Sequence, residues 1–166
     1  MSVVPVVLEW VEATSISTHI RESIWTYPVI ESIHVLGLGL FLGLTMVMDL
    51  RLIGVVLRNT PVGDVMGRLL PWIRWGGALM AVTGVLLTIA TPVSFAANPF
   101  FAAKLGLLAL AGVNVWIFHT TLGPSVGTWG IHALPPLWAR RAGATSLVLW
   151  VSIAVAGRLI AYNWFQ

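Results

Sequence analysis

The sequence predicts an all-α integral membrane protein, a four-helix bundle preceded by an N-terminal interfacial amphipathic helix. Two features of composition and one of patterning carry that reading. Hydrophobic residues make up 58% of the 166 and charged residues only 9%, against about 45–50% and about 25% in a soluble domain. So few polar side chains cannot coat a water-soluble globule. The apolar residues also gather into four stretches near the roughly 20 residues that cross a bilayer core of about 30 Å. Cysteine is absent, which excludes disulfides, thiolate metal sites, iron–sulfur ligation and covalent c-type haem attachment. Nine basic residues face six acidic ones, and the cations stand one or two at a time, so nothing resembles a nucleic-acid footprint.

Residues 1–26 form the interfacial segment, carrying Trp10, His19, Arg21 and Glu22 and broken before Pro28. Glu9 and Glu12 precede Arg21, the earliest cation, so this segment is not expected to be a cleaved leader, which wants basic residues before its apolar core. The first span covers about 28–50, where the apolar run Val29–Met48 is closed by Asp49 and Arg51. The second, about 72–91, is preceded by Pro71 and followed by Pro92; the third, about 100–122, ends at Gly123-Pro124. The fourth covers about 142–164. Between them, residues 125–141 hold Trp129, His132 and Pro135-Pro136, too broken for another crossing. The whole chain, 1–166, is one transmembrane domain.

Orientation follows from the cations. Arg51, Arg58, Arg68, Arg74, Arg140 and Arg141 fall in or beside the first and third interhelical loops, whereas Arg21, Lys104 and Arg158 fall towards the other side. The positive-inside rule then places both termini in the periplasm of a bacterial inner membrane. Gly39 and Gly43 in the first span, and Gly76, Gly77, Ala81 and Gly84 in the second, make small-residue faces suited to close helix packing and to a homo-oligomer.

Ionisable side chains inside a membrane are expensive and point to function. Glu31 and His34 share a helical face in the first span, with Gly37 and Phe41 following. A neutral imidazole beside a glycine notch suits an axial ligand of b-type haem. His119 sits near the far end of the third span with Trp116 and Gly112 on its face. His34 lies six residues in from Pro28 and His119 eighteen from Phe101, depths of about 9 Å and about 27 Å. If both histidines bind haem, these depths require two haems rather than one, with His19 and His132 as candidate second iron ligands. Lys104 and Arg158 fall near the depth of His34, where they would hold haem propionates or a quinone head group; alternatively Arg158 pairs with Glu31.

The segments Arg21-Glu-Ser-Ile-Trp-Thr-Tyr-Pro-Val-Ile-Glu-Ser-Ile-His34 and Asp49-Leu-Arg-Leu-Ile-Gly54 resemble the opening of an uncharacterised family of small bacterial four-helix inner-membrane proteins. Leu70-Pro-Trp72, Lys104, Asn114, Phe118-His119 and Gly157-Arg-Leu-Ile-Ala-Tyr162 match its later landmarks. More distantly the pattern is similar to copper-resistance D-type membrane domains and to the short haem-binding protoporphyrinogen oxidase. That resemblance implies haem b with Lys104 in a supporting role. Soft copper sites favour sulfur ligands, and the five Met are scattered.

Sequence reasoning thus arrives at a cytochrome b-like protein for electron transfer across or into the membrane, with one or two haems per chain. Such a protein is either a membrane oxidoreductase or a passive carrier, and its partner is a quinone or another redox species. The rival reading is a transporter or channel subunit for a small solute or for a metal such as copper, with Glu31, Lys104 and Arg158 along the path.

Overall fold

The computed structural model describes residues 3–129 and 134–162. It is all-helical among those residues. Two short helices, α1 (Val3–Glu12) and α2 (Ser15–Glu22), lead into α3 (Thr26–Ile53) and α4 (Val62–Ala90). A short α5 (Pro92–Ala97) precedes α6 (Pro99–Thr121), a 3₁₀ helix (Gly123–Thr128) and α7 (Leu137–Leu159). Helices α3, α4, α6 and α7 are each long and apolar enough to cross a membrane, so the chain is a multi-pass membrane protein.

The single interfacial segment of the sequence reading is two helices. Thr14 ends the first and N-caps the second, its hydroxyl accepting from the Ser17 N–H. Helix α2 buries Ser17 and Ile20. Ser17 Oγ and Arg21 Nη1 both donate to the Ala90 carbonyl, at 3.2 and 3.1 Å. Ala90 is the last residue of α4, where carbonyls lack intrahelical donors and the helix dipole favours a cation. The interfacial layer is therefore fastened to the end of a span.

Three span boundaries differ from expectation. The first does not stop at Asp49 and Arg51; α3 runs on to Ile53 and is ended by Gly54, whose φ of 91° is the left-handed conformation that glycine adopts freely. Arg51 is buried because its Nε and Nη2 donate to the Thr60 carbonyl at 3.1 and 2.8 Å, closing the loop to α4. The second span starts at Val62 and contains Pro71 rather than following it. Val62 and Val65, ahead of the proline, are buried with Met48, Leu52, Phe118 and Val126. That packing outweighs the one helical hydrogen bond a proline removes. The fourth span likewise begins earlier, at Leu137, directly after Pro136.

The spans pack as an arc, in the order α4, α3, α7, α6. Helix α3 lies against both α4 and α7, and α7 against α6, while the α4 and α6 backbones make no close approach. The 3₁₀ helix packs on both of them and buries Val126. It bridges the two at the loop side. Close approach along the arc needs glycine at two places: a Cβ on Gly76 would stand 3.2 Å from Phe41 Cβ, and one on Gly143 would stand 3.0 Å from the Asp49 carbonyl oxygen. Gly39 and Gly43, expected to pack within the bundle, face open space instead.

The starts of α3 and α6 and the ends of α4 and α7 share one side of the bundle, here the terminal side, as the Asn98 to Ile160 hydrogen bond and the Lys104–Gly157 approach require. The opposite, loop side carries the α3–α4 and α6–α7 connections.

Candidate functional site

Two polar clusters lie inside the arc, one in each half. On the terminal side, His34 projects from α3 towards α4. Its Nδ1 lies 2.7 Å from Thr83 Oγ1. The Thr83 hydroxyl in turn donates to the Leu79 carbonyl at 2.7 Å, so its proton is spent and its oxygen accepts from His34. That assigns the proton to Nδ1 and leaves the Nε2 lone pair free. Gly84 flanks the ring: a Cβ there would stand 3.4 Å from His34 Cε1. Lys104 of α6 lies in the same half of the bundle. Lys104 lies along Gly157 of α7, where a Cβ would stand 3.5 Å from Nζ. It forms no hydrogen bond or ion pair among the described residues.

Arg158 does not join that pair. It is exposed on α7, with its guanidinium 5.2 Å above the Tyr162 ring and Nη2 donating to the Tyr162 hydroxyl at 3.2 Å. The expected pairing with Glu31 is absent, because Glu31 is exposed on α3 and Arg158 is engaged four residues along its own chain. His19 is exposed as well. Ser17 and Arg21 hold α2 to α4, and a residue two positions from each lies about 200° round the helix. His132 lies outside the described residues.

The loop-side cluster surrounds a cavity of ≈ 220 Å³ between all four spans. Its walls include Phe41, Phe118 and Trp150, with Phe41 and Trp150 packed edge to face at 4.8 Å. Asp49 lines it at 5% exposure, and its Oδ2 has no hydrogen-bond partner. The Ser146 side chain faces the carboxyl group. Asn114 Nδ2 donates to the Ala142 carbonyl at 3.1 Å, and the Thr45 hydroxyl donates to the Phe41 carbonyl at 2.8 Å. His119 also lines this cavity, edge-on to Phe118 at 5.6 Å, and its ring nitrogens form no hydrogen bond among the described residues. Sequence reasoning passed over Asp49 as the polar end of a span. The signal available was Gly54, which places the true helix end five residues later.

The described residues contain no group of three or more His, Asp or Glu able to hold a bare metal ion. Haem asks less of the protein, since the macrocycle supplies four ligands and the chain needs to add only an axial one. His34 meets that requirement. Metal-ligating histidines almost always donate their other ring N–H to a fixed acceptor, as His34 does to Thr83. His119 lacks such an acceptor.

Architecture and site together define a helical multi-pass membrane protein with ionisable side chains held inside its spans. The chain belongs to a family of unknown function, DUF6644, whose model matches residues 7–163. No curated protein and no solved structure matches it.

Proposed function

We propose that the protein is a membrane-embedded b-type haem protein for electron transfer, with His34 as the axial ligand. The hydrogen bond from His34 Nδ1 to Thr83 carries the reading, because it fixes the tautomer that presents Nε2 to an iron. Two further features support it. Lys104 is an unpaired ammonium in the same half of the bundle, suited to a propionate carboxylate. Helices α4 and α6 make no close backbone approach, so a flat group between them would break no backbone contact. When bound, the haem supplies one-electron redox chemistry; the chain supplies ligation, charge and exclusion of water. One haem per chain is the reading argued here, since His119 lacks the orienting partner of His34.

A lipid-soluble quinone is the partner class that fits a redox site held within membrane-spanning helices. Gly39 and Gly43, facing open space, suit packing between copies in a homo-oligomer. The setting we infer is a bacterial inner membrane with both termini in the periplasm, from the basic residues at the loop side. Reporter fusions at Gln166 should be active only as periplasmic reporters, and cytoplasmic activity overturns that orientation.

The test of the function is a visible spectrum of the purified protein. A Soret band with α-bands that sharpen on dithionite reduction is expected, and no absorbance sinks the proposal. Thr83→Val keeps the shape of the side chain and removes the acceptor. It should weaken haem retention by about 10–100-fold, the usual cost of losing a ligand's hydrogen-bond partner. Unchanged retention would reduce Thr83 to a packing residue.

A further inference from the structure

We propose that the loop-side cavity binds a compact apolar organic ammonium, held by the Asp49 carboxylate. The proposal does not depend on haem binding. Its first support is the state of Asp49 itself: 5% exposed, lining the cavity, with Oδ2 lacking a hydrogen-bond partner and no ion-pair partner among the described residues. A carboxylate left so in an apolar interior is costly, and a positive charge in contact with it offsets that cost.

The second support is the polarity of the other lining atoms. Thr45 and Asn114 both border the cavity; the Thr45 hydroxyl donates to the Phe41 carbonyl and one Asn114 N–H to the Ala142 carbonyl, while the Ser146 side chain is hydrogen-bonded to the Asp49 carboxyl group. The Thr45 oxygen, the Asn114 Oδ1 and the Asp49 Oδ2 are left as acceptors, and a neutral His119 adds one acceptor nitrogen beside its N–H. With one acidic side chain and no Lys or Arg in its lining, the cavity complements a molecule that brings N–H donors and positive charge.

The third support is the wall. Phe41, Phe118 and Trp150 present ring surfaces, and aromatic faces attract cations more strongly where water is excluded. A bare metal ion is a poor alternative, because one carboxylate and no grouped His, Asp or Glu is too few ligands. The volume of ≈ 220 Å³ suits a ligand of one ring with a short arm.

Benzylammonium and benzyl alcohol, near-identical in shape, separate charge recognition from simple filling of an apolar hole. The full chain in zwitterionic nanodiscs, referenced to empty nanodiscs, should show a raised unfolding midpoint with benzylammonium and little or none with benzyl alcohol. Calorimetric titration should give affinity for the ammonium weakened by about tenfold or more in Asp49→Asn, consistent with the strength of hydrogen bonds to charged groups. Leu110→Ala, on the exposed face of α6 away from the cavity, should bind as the unaltered chain does. Equal effects of the two ligands, no binding of the ammonium, or an Asp49→Asn variant that binds it undiminished would each overturn the proposal. Should Asp49→Asn fail to fold, the two-ligand comparison on the unaltered chain decides the matter. A Soret band read in the same samples reports the haem site separately, so either reading can fail while the other stands.

Discussion

The two halves of the arc handle buried polarity in opposite ways. On the terminal side His34 is oriented: Thr83 takes its proton, Leu79 takes the proton of Thr83, and one nitrogen lone pair is left over. On the loop side Asp49 keeps an unmatched oxygen that faces an aromatic-walled cavity. The first arrangement prepares a base of defined direction. The second leaves an acidic group without a cation, suited to a positively charged donor. Polar groups in a membrane protein therefore need reading atom by atom, since a buried His and a buried Asp of equal rarity imply different ligands.

The most forceful way to break this comparison is to exchange the histidines for alanine in turn. His34→Ala should abolish bound haem, whereas His119→Ala should leave the absorbance spectrum intact. Loss of half the haem from each variant would restore two separate haems. Loss from His119→Ala alone would move the metal centre to the loop side and invert the contrast.

Intermediate effects are expected where glycine sets the helix spacing. Gly143→Leu forces side-chain atoms against the Asp49 carbonyl and Leu52, already 3.0 Å from an added Cβ. Overpacking of this kind costs about 1–3 kcal/mol, read as lowered resistance to thermal unfolding in detergent. Gly39→Leu, facing open space, should leave the monomer's resistance unchanged; a comparable loss there would show that Gly39 is buried between copies of the chain.

The smallest effect expected is a coupling of zero. Glu31→Gln and Arg158→Gln should act additively on stability, since Arg158 engages Tyr162 and Glu31 is exposed. A clear coupling in a double-mutant cycle would restore the ion pair inferred from their depths.

Much of the fold was legible because hydrocarbon imposes a simple length rule on apolar runs, and the four spans follow from it. Their ends were harder to read. Asp49 and Arg51 look like a boundary by charge, but Arg51 satisfies its guanidinium on Thr60 and the helix continues to a glycine cap. Pro71 looks like a helix start, but the core claims Val62 and Val65 ahead of it. His34 and Lys104 were legible as costly residues at similar depth, and both lie in the terminal half of the bundle, near Gly84 and Gly157 respectively. Arg158 matched them in depth but not in direction, which depth arithmetic along one axis does not supply. Thr83 was invisible, because a threonine in a span carries no signal until its neighbour across the helix interface is known.

A cavity walled by four membrane spans changes the solvent against which any guest must be weighed. A molecule reaching it from the bilayer leaves acyl chains rather than water. Burying its apolar surface there gains little, because lipid tails are already as apolar as the aromatic walls. The usual driving force of pocket binding is thus nearly cancelled. Discrimination then rests on a handful of polar atoms, and one methyl more or less on a guest should matter far less than one N–H.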